Sequence, residues 1–480
     1  MNDVKRGRVL LVYPAYIGEI GKPDRPPLGL LTIAAPLVEK GVEVCLLDER
    51  ADREDFDSKL VAELKKNPIC VGISSMSGRH IAGALRVSKL VKENSDVPVV
   101  WGGVHPSLEP ESTIRHPLVD IIVRDDGEET FQELLEALKD PNCDLSKING
   151  IGFKDSDGKV VLTELSSPAD ISKIPYIPYH LVDFDRYESK DPWTIGRGLI
   201  PMETSRGCPF RCSFCTESVR KKKWRSLPPE RVINDIKYYI EKYGIYNYTF
   251  IDDNLFGNIK RGEDLIDLLA KEDLGIRWYT NIRTDYMSRA TPEFLQKLEK
   301  AGCCMLTFGA ESGSERILKM ISKHATQEHV IKTNLNLNRV NISPHYVTIR
   351  GFPTETGKDM LDTYLLLIRL VLDNKKAICD SPFLIPTPGT QIFRQCFQDA
   401  SERDRDLTLE KWAEAFDLEK MGCPMWLDPK TFSVIKHYKW LVGIIQKTNR
   451  RKTGWLKNGI YRLFLRLMYK VIYLQRGFLK

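Results

Sequence analysis

Short apolar runs of strand character alternate with helical periodicity twice along the chain, and this limits the architecture more than any other property of the sequence. In the N-terminal part, strand patterns at 9–13, 43–47, 69–74, 97–101 and 121–123 alternate with helical patterns at 30–39, 58–66, 81–93 and 128–138, with Pro36 interrupting the first helix. Strands alternating with helices predict a parallel sheet covered on both faces. Ligands of such sheets bind beyond the carboxyl ends of the strands, so function is sought in the loops after each strand. A second series has strand patterns at 201–204, 248–251, 277–280, 305–308, 345–349 and 383–385. Between the two, Lys154-Asp155-Ser156-Asp157-Gly158 reads as a hairpin turn. Ile174-Pro175-Tyr176-Ile177-Pro178 is too proline-rich for a helix or central strand. These breaks divide the 480 residues into an α/β doubly wound domain (1–145), a linker with a hairpin (146–197), a second α/β core (198–400) and a C-terminal helical region (401–480).

Three of the eleven cysteines, Cys208, Cys212 and Cys215, lie together in a Cys-x3-Cys-x2-Cys stretch after the first strand of the second series. Thiolates are soft ligands that hold iron–sulfur clusters. Three of them on a 4Fe–4S cube leave one iron open to a cofactor or substrate. On spacing alone, a zinc site with a remote fourth ligand or unligated thiols are the alternatives. Cys45, Cys70, Cys303 and Cys304 fall in apolar runs and read as core thiols rather than disulfides. Residues 1–8 are polar and charged, unlike a secretory leader, and no run of about 20 apolar residues is present. The expected location is the cytoplasm.

With Phe214 between the second and third cysteine, the stretch resembles the radical S-adenosylmethionine (SAM) superfamily, in which the open iron chelates the amino and carboxylate groups of SAM. The resemblance implies a partial (β/α)6 barrel for the second core, with active residues on loops at the carboxyl ends of strands. It also implies a set of SAM contacts. Phe214 borders the cluster, and Asp252 and Asp253 meet the methionine amino group. Glu311 accepts hydrogen bonds from the ribose diol, as an acceptor-only carboxylate can. Gly351 and Pro353 offer backbone to adenine, and Arg283 and Arg350 pair with the SAM carboxylate. Ser312 and Ser314 also suit helix caps.

The loops of the first series carry a second resemblance. Ser74-Ser75-Met76-Ser77-Gly78 follows one strand and Trp101-Gly102-Gly103-Val104-His105-Pro106 the next. This is similar to cobalamin-binding domains of flavodoxin-like fold, where small residues let backbone approach a bulky ligand. Pro26-Pro27-Leu28-Gly29-Leu30 and Asp126-Gly127-Glu128-Glu129-Thr130 are typical of cobalamin-dependent radical SAM proteins. Cobalamin contacts are therefore expected from Ser74, Ser75, Met76, Gly102, Gly103, His105 and Glu128. The Asp-x-His-x-x-Gly motif that ligates cobalt from below is lacking, so the cobalt is expected without a protein histidine. His105 is read as a contact to corrin or tail, or as a loop cap. A flavodoxin-like domain that keeps the shape without the cofactor is the alternative.

Together these features resemble the class B radical SAM methyltransferases and the anaerobic Mg-protoporphyrin monomethyl ester cyclases. The resemblance implies reductive cleavage of SAM by a 4Fe–4S cluster and methyl transfer from methylcobalamin to an unactivated carbon or phosphorus. It also implies electrons from a flavodoxin or ferredoxin. Radical cyclisation or coupling without methyl transfer is a second reading. A methylthiotransferase is a third, and it would need a further cluster, whereas only Cys45, Cys70 and Cys143 precede Cys208.

The net charge of +6 is unevenly spread. Residues 447–480 hold ten Lys and Arg and no Asp or Glu, leaving 61 of the 71 basic residues against all 65 acidic ones elsewhere. This argues against a nucleic-acid surface on the body. The run 220–225 reads as a solvated face or as a surface for an anionic substrate or acidic reductant. Between Ile460 and Leu474 the main polar interruptions are Arg462, Arg466 and Lys470, one stripe on a helix. With Trp455, Tyr461, Tyr469 and Tyr473, this tail is expected to pack on the barrel, to touch a membrane peripherally, as would suit a lipid-like substrate, or to meet a protein partner.

Overall fold

Parallel strands buried on both faces read as continuous apolar runs, and in the computed structural model those of the first series form one sheet. The structure describes residues 7–16, 21–189, 193–220, 223–397, 408–414, 422–449 and 455–478. The first sheet comprises β1 (Arg8–Tyr13), β2 (Glu43–Asp48), β3 (Val71–Ser74), β4 (Val99–Gly102), β5 (Ile121–Val123), β6 (Ile151–Lys154) and β7 (Val160–Leu162), in the order β2-β1-β3-β4-β5-β6-β7. The first five are parallel, in register Leu11↔Leu46 and Val12↔Ile73, and Val9 to Val12 are fully buried. Strand order reverses at β1/β3, where flavodoxin-like sheets open a ligand crevice. Pro36 does not end the Leu28–Glu39 helix, whose apolar face is buried, so packing outweighs the lost backbone bond. The hairpin assigned to the linker belongs to this sheet, since β6 pairs antiparallel with β5 and β7 with β6.

The second sheet is parallel and six-stranded, in the order β8-β11-β12-β13-β14-β15. Its strands are β8 (Ile200–Met202), β11 (Asn247–Phe250), β12 (Arg277–Ile282), β13 (Cys303–Glu311), β14 (Ser343–Thr348) and β15 (Ile378–Asp380). A two-residue ribbon, β9 (Ser205–Arg206) with β10 (Arg225–Ser226), brackets the cysteine loop. The strands follow chain order and β15 does not pair with β8, the layout of a partial barrel. Its core includes the stacked rings Phe250–Trp278 (5.1 Å) and Phe308–Tyr346 (5.4 Å). The last strand lies at Ile378–Asp380 rather than at 383–385. Pro382 has no N–H for the ladder, and beyond it only an isolated bridge links Phe383 to Arg350.

By compactness the chain forms two units, 1–190 with 197–199 and 399–420, and 191–196 with 200–398 and 421–480. The stretch 401–480 is thus divided between them. Helix Leu409–Glu414 packs on helix Arg79–Asn94 of the first unit. Helices Pro429–His437, Lys439–Lys447 and Trp455–Phe478 pack on helix Gly357–Asp373 of the second.

The basic stripe of the tail also splits. Arg466 and Lys470 are exposed. Arg462 turns inward, donating to the carbonyls of Val371 (2.6 Å) and Leu372 and to Asn449 Oδ1 (3.1 Å). A cation there satisfies the carbonyl end of the Gly357–Asp373 helix and complements its dipole. Among the described residues no helix is long and apolar enough to cross a membrane. We predict that Arg462→Ala destabilises the second unit by about 2 kcal/mol in thermal or urea unfolding. Arg466→Ala should change stability by less than about 0.5 kcal/mol.

Candidate functional site

Asp252 follows β11 and is fully buried. Its carboxylate accepts from Thr204 N–H (2.6 Å), Thr204 Oγ1 (2.6 Å) and Ser205 Oγ (2.7 Å). Arg261 closes the network, donating to Thr204 O (3.0 Å) and Leu227 O (2.9 Å). Burial pushes the Asp252 carboxyl up to about 6, against the donors that favour its charge. Enclosed and holding three donors, it positions the end of β8, which differs from the direct SAM contact expected of it. Asp253, beside it, accepts from Gly207 N–H (2.9 Å), directly before the first cysteine.

Cys208, Cys212 and Cys215 lie within electrostatic reach of one another, and among the described residues no three side chains close on a site for a single metal ion. Burial raises the Cys208 and Cys215 thiols, the latter to about 11, and each feels the other thiols of the triad. The loop is pinned at Ser213, whose N–H donates to Ile321 O (3.0 Å) and whose carbonyl accepts from Ile392 N–H (3.0 Å). Phe214 packs with Ile317, Leu318 and Ile392 and meets the Phe352 ring edge-on at 6.0 Å. Arg283 stacks over Phe210 of the loop, 3.6 Å from the ring centroid. It is held there by Asp285 (2.9 Å) and Lys323 O (2.7 Å).

Glu311 ends β13 with φ +57° and is buried against Lys323, whose Nζ donates to Oε1 at 2.7 Å. Burial works against the Lys323 ammonium, but Glu311 and Cys212 outweigh it and the pKa is raised. A Cβ on Gly309 would lie 2.2 Å from Glu311 Oε1 and 2.8 Å from Lys323 Nζ, so a side chain there would displace the pair. On the next loop Arg350 donates from Nε to Ser381 O (2.8 Å). Gly351, at φ +87°, and Phe352 donate their N–H groups to Glu355 Oε2 (2.6 and 3.2 Å). Pro353 is buried beside them. Burial pushes Glu355 up to about 8, and its Oε1 has no partner among the described residues. Trp426 donates to Gly351 O (2.9 Å).

Arg261, Lys323, Glu355 and Trp426 were not singled out from sequence. Glu355 stands inside the Gly351-Phe352-Pro353-Thr354-Glu355 loop, so a signal existed. The others act through partners distant in the chain.

In the first unit the loops after β3 and β4 interlock. Ser75 N–H donates to Gly102 O (2.8 Å) and Ser75 O accepts from His105 N–H (3.2 Å). Gly103 has φ +104°, and a Cβ there would lie 2.7 Å from Ser75 O, which only glycine avoids. Ser74 is half-buried and Met76 exposed, and a Cβ on Gly102 would make an ordinary contact with Val123 O at 4.0 Å. Glu128 is buried in the first turn of helix Glu128–Ala137, after β5. His105 is fully buried, with Nδ1 3.1 Å from Ser77 Oγ and its ring edge-on to Trp412 at 5.8 Å. Burial lowers its pKa to about 3, so the imidazole is neutral. Ser75 Oγ and His105 Nε2 are buried without partners among the described residues. Unpaired polar atoms beside Gly102 and Gly103 fit a ligand with a polar tail.

Comparison with known proteins places these two units. The Radical SAM superfamily model matches residues 202–367 and the B12 binding domain model residues 18–135. An uncharacterized methyltransferase of Pyrococcus horikoshii is 32% identical over 394 residues, covering 80% of this chain and 82% of the relative. The anaerobic magnesium-protoporphyrin IX monomethyl ester cyclase of Synechocystis is 27% identical, covering 75% and 72%. The structure of the radical SAM methyltransferase TsrM of Kitasatospora setae aligns with a TM-score of 0.68 at 18% identity, covering 88% of this chain and 84% of that one. The chain belongs to the radical SAM enzymes that carry an N-terminal B12-binding domain. Its cofactors are accordingly a 4Fe–4S cluster, SAM and cobalamin, and the three neighbouring thiols and the Ser75–Gly103 cradle fit them.

Two outcomes follow from the buried groups. Asp252→Ala strands the donors of Thr204 and Ser205, costs about 3 kcal/mol and should lower iron content after reconstitution, whereas Asp253→Ala should fold normally. His105 binds its proton less tightly when folded than the ordinary 6.5. The unfolded state therefore gains the proton first as pH falls. Its stabilising contribution is complete above 6.5 and declines down to about 3, by up to about 1.4 kcal/mol per pH unit. In urea titrations of the cobalamin-free protein, His105→Gln should remove that slope.

Proposed function

We propose that the protein is a cobalamin-dependent radical SAM methyltransferase acting on an unactivated carbon or phosphorus of a small, hydrophobic molecule. The observation that carries this is the Ser75–Gly103–His105 cradle, with its two unpaired buried polar atoms, in the same chain as the three-thiol loop. The Pyrococcus horikoshii relative, named a methyltransferase, supports the same reaction class. With all three groups bound, the cluster and SAM supply a carbon-centred radical, and cobalamin supplies the methyl group.

The chain's residues do the positioning. Cys208, Cys212 and Cys215 each hold one iron. Phe214 and Phe352 keep the loop dry on one side. Glu311, fixed by Lys323, faces the ribose, while the Gly351–Pro353 backbone, set by Glu355, receives adenine. Asp253, Arg283 and Arg350 remain the polar groups assigned to the methionine end. Arg283 brings its charge to the cluster loop through Phe210, and Asp252 acts from behind through Thr204. No protein histidine is assigned to cobalt.

Among the described residues no cysteine forms a disulfide, which suits a reducing cytoplasm. Of the basic run after the cysteine loop, Lys223 is exposed and suits an acidic flavodoxin or ferredoxin, whereas Arg220 pairs with Glu217 (3.0 Å) and Arg225 is half-buried. Lys221 and Lys222 of this run lie outside the described residues. The cyclase relative supports a second reading, radical cyclisation without methyl transfer.

Anaerobic reconstitution with iron, sulfide and hydroxocobalamin, followed by desalting and absorption spectroscopy, tests the proposal. Corrin bands should survive beside the iron–sulfur shoulder. Gly103→Ala should lose the corrin and keep the cluster, and Cys212→Ser should do the reverse. A wild-type cluster without retained corrin removes methyl transfer and leaves cyclisation.

A further inference from the structure

The Trp455–Phe478 helix is apolar on two opposite faces. One carries Leu465 and Ile472, fully buried on the side that packs against helix Gly357–Asp373. On the other, Ile460, Leu463, Leu467, Val471 and Leu474 recur every three or four residues and are 59, 61, 57, 44 and 64% exposed. At 100° per residue these five fall within an arc of about 80°. Packing within the unit accounts for the first face and leaves the second in water. Trp440, itself exposed, extends it by meeting Phe464 edge-on at 5.7 Å. A contiguous patch of this kind marks an interaction surface.

Charge identifies what covers it. Lys457 flanks the stripe on one side and Arg466 and Lys470 on the other, all exposed. The segment 447–480 holds ten Lys and Arg and no acidic residue. A helix on an anionic bilayer needs an apolar face at acyl-chain depth, cations at phosphate level and aromatic residues between. Arg462 is taken by the carbonyls of Val371 and Leu372 and Arg476 by the Asp362 carboxylate, which leaves Lys457, Arg466 and Lys470 as the exposed cations of the helix among the described residues. The contact is peripheral, since this helix is not apolar enough to span a bilayer.

We infer that the Trp455–Phe478 helix docks flat on an anionic lipid surface, inserting the stripe from Ile460 to Leu474 with Lys457, Arg466 and Lys470 at the headgroups. This does not depend on the reaction the enzyme catalyses.

Flotation of the full-length protein with phosphatidylcholine vesicles, with and without about 30% phosphatidylglycerol, tests it. The protein should float with the anionic vesicles only, and about 0.5 M salt should weaken binding by screening. Leu463→Ser combined with Leu467→Ser should reduce binding by about tenfold or more, with an unchanged circular dichroism spectrum because both side chains are exposed. Arg466→Glu with Lys470→Glu should also lose binding while keeping the apolar stripe. Failure of the wild type to float with anionic vesicles overturns the inference. So does flotation of the serine variant equal to that of wild type. Equal binding to neutral vesicles also overturns it, as does a wild-type dimer in sedimentation that the serine variant abolishes without any vesicle binding.

Discussion

A carboxylate without solvent exposure survives only if its oxygens are occupied, and Asp252 meets that condition by collecting Thr204 N–H, Thr204 Oγ1 and Ser205 Oγ. This joins the end of β11 to the end of β8 and fixes where the chain leaves the sheet to enter the cysteine loop. Downstream, Gly207 N–H is held by Asp253 and Ser213 by the backbones of Ile321 and Ile392. A loop that must bring three thiols to one place contains no strand. Its geometry is therefore imported from strand ends and helix termini on either side, which are more precise supports than a free loop.

The thiol triad sets the second constraint. Burial and neighbouring thiols raise Cys208 and Cys215, so a triad carried as thiolates needs compensating positive charge. Lys323 supplies it from behind Cys212, and Arg283 lies near Cys208 over the Phe210 ring. Burying Lys323 is costly unless a carboxylate meets it, and Glu311 does so at 2.7 Å. The pair in turn accounts for Gly309, since a side chain there would push Glu311 and Lys323 apart.

What was legible in the sequence follows from range. Strands β1 to β5 are doubly covered and show as apolar runs. The cysteines and Gly102-Gly103 carry their chemistry within a few residues. The β6–β7 hairpin was visible as a hairpin, but its pairing with β5 was not, because nothing local encodes an edge. The apolar run 383–385 looked like a strand until Pro382 denied it a ladder. Arg462, Arg466 and Lys470 do share a helical period, yet Val371 and Leu372, some 90 residues earlier, take the first of them out of the stripe. Lys323 and Trp426 are invisible to motif reasoning for the same reason, since each is defined by a partner on another loop.

Partners distant in the chain matter most for the residues after 400, which lie outside both family matches. Trp412 and Trp426 are close in sequence and belong to different units. The first packs its ring against His105, enclosing the imidazole that borders the Ser75–Gly103 cradle. The second donates to the carbonyl of Gly351, on the loop that Glu355 holds in shape. Each unit's ligand-facing loop thus takes an aromatic support from the same late stretch of chain. The helices that follow cover Gly357–Asp373 and leave one apolar stripe over. The C-terminal region is therefore part of the machinery of both units, and its composition answers to two cores and one open face at once. That explains why its sequence shows no single period throughout.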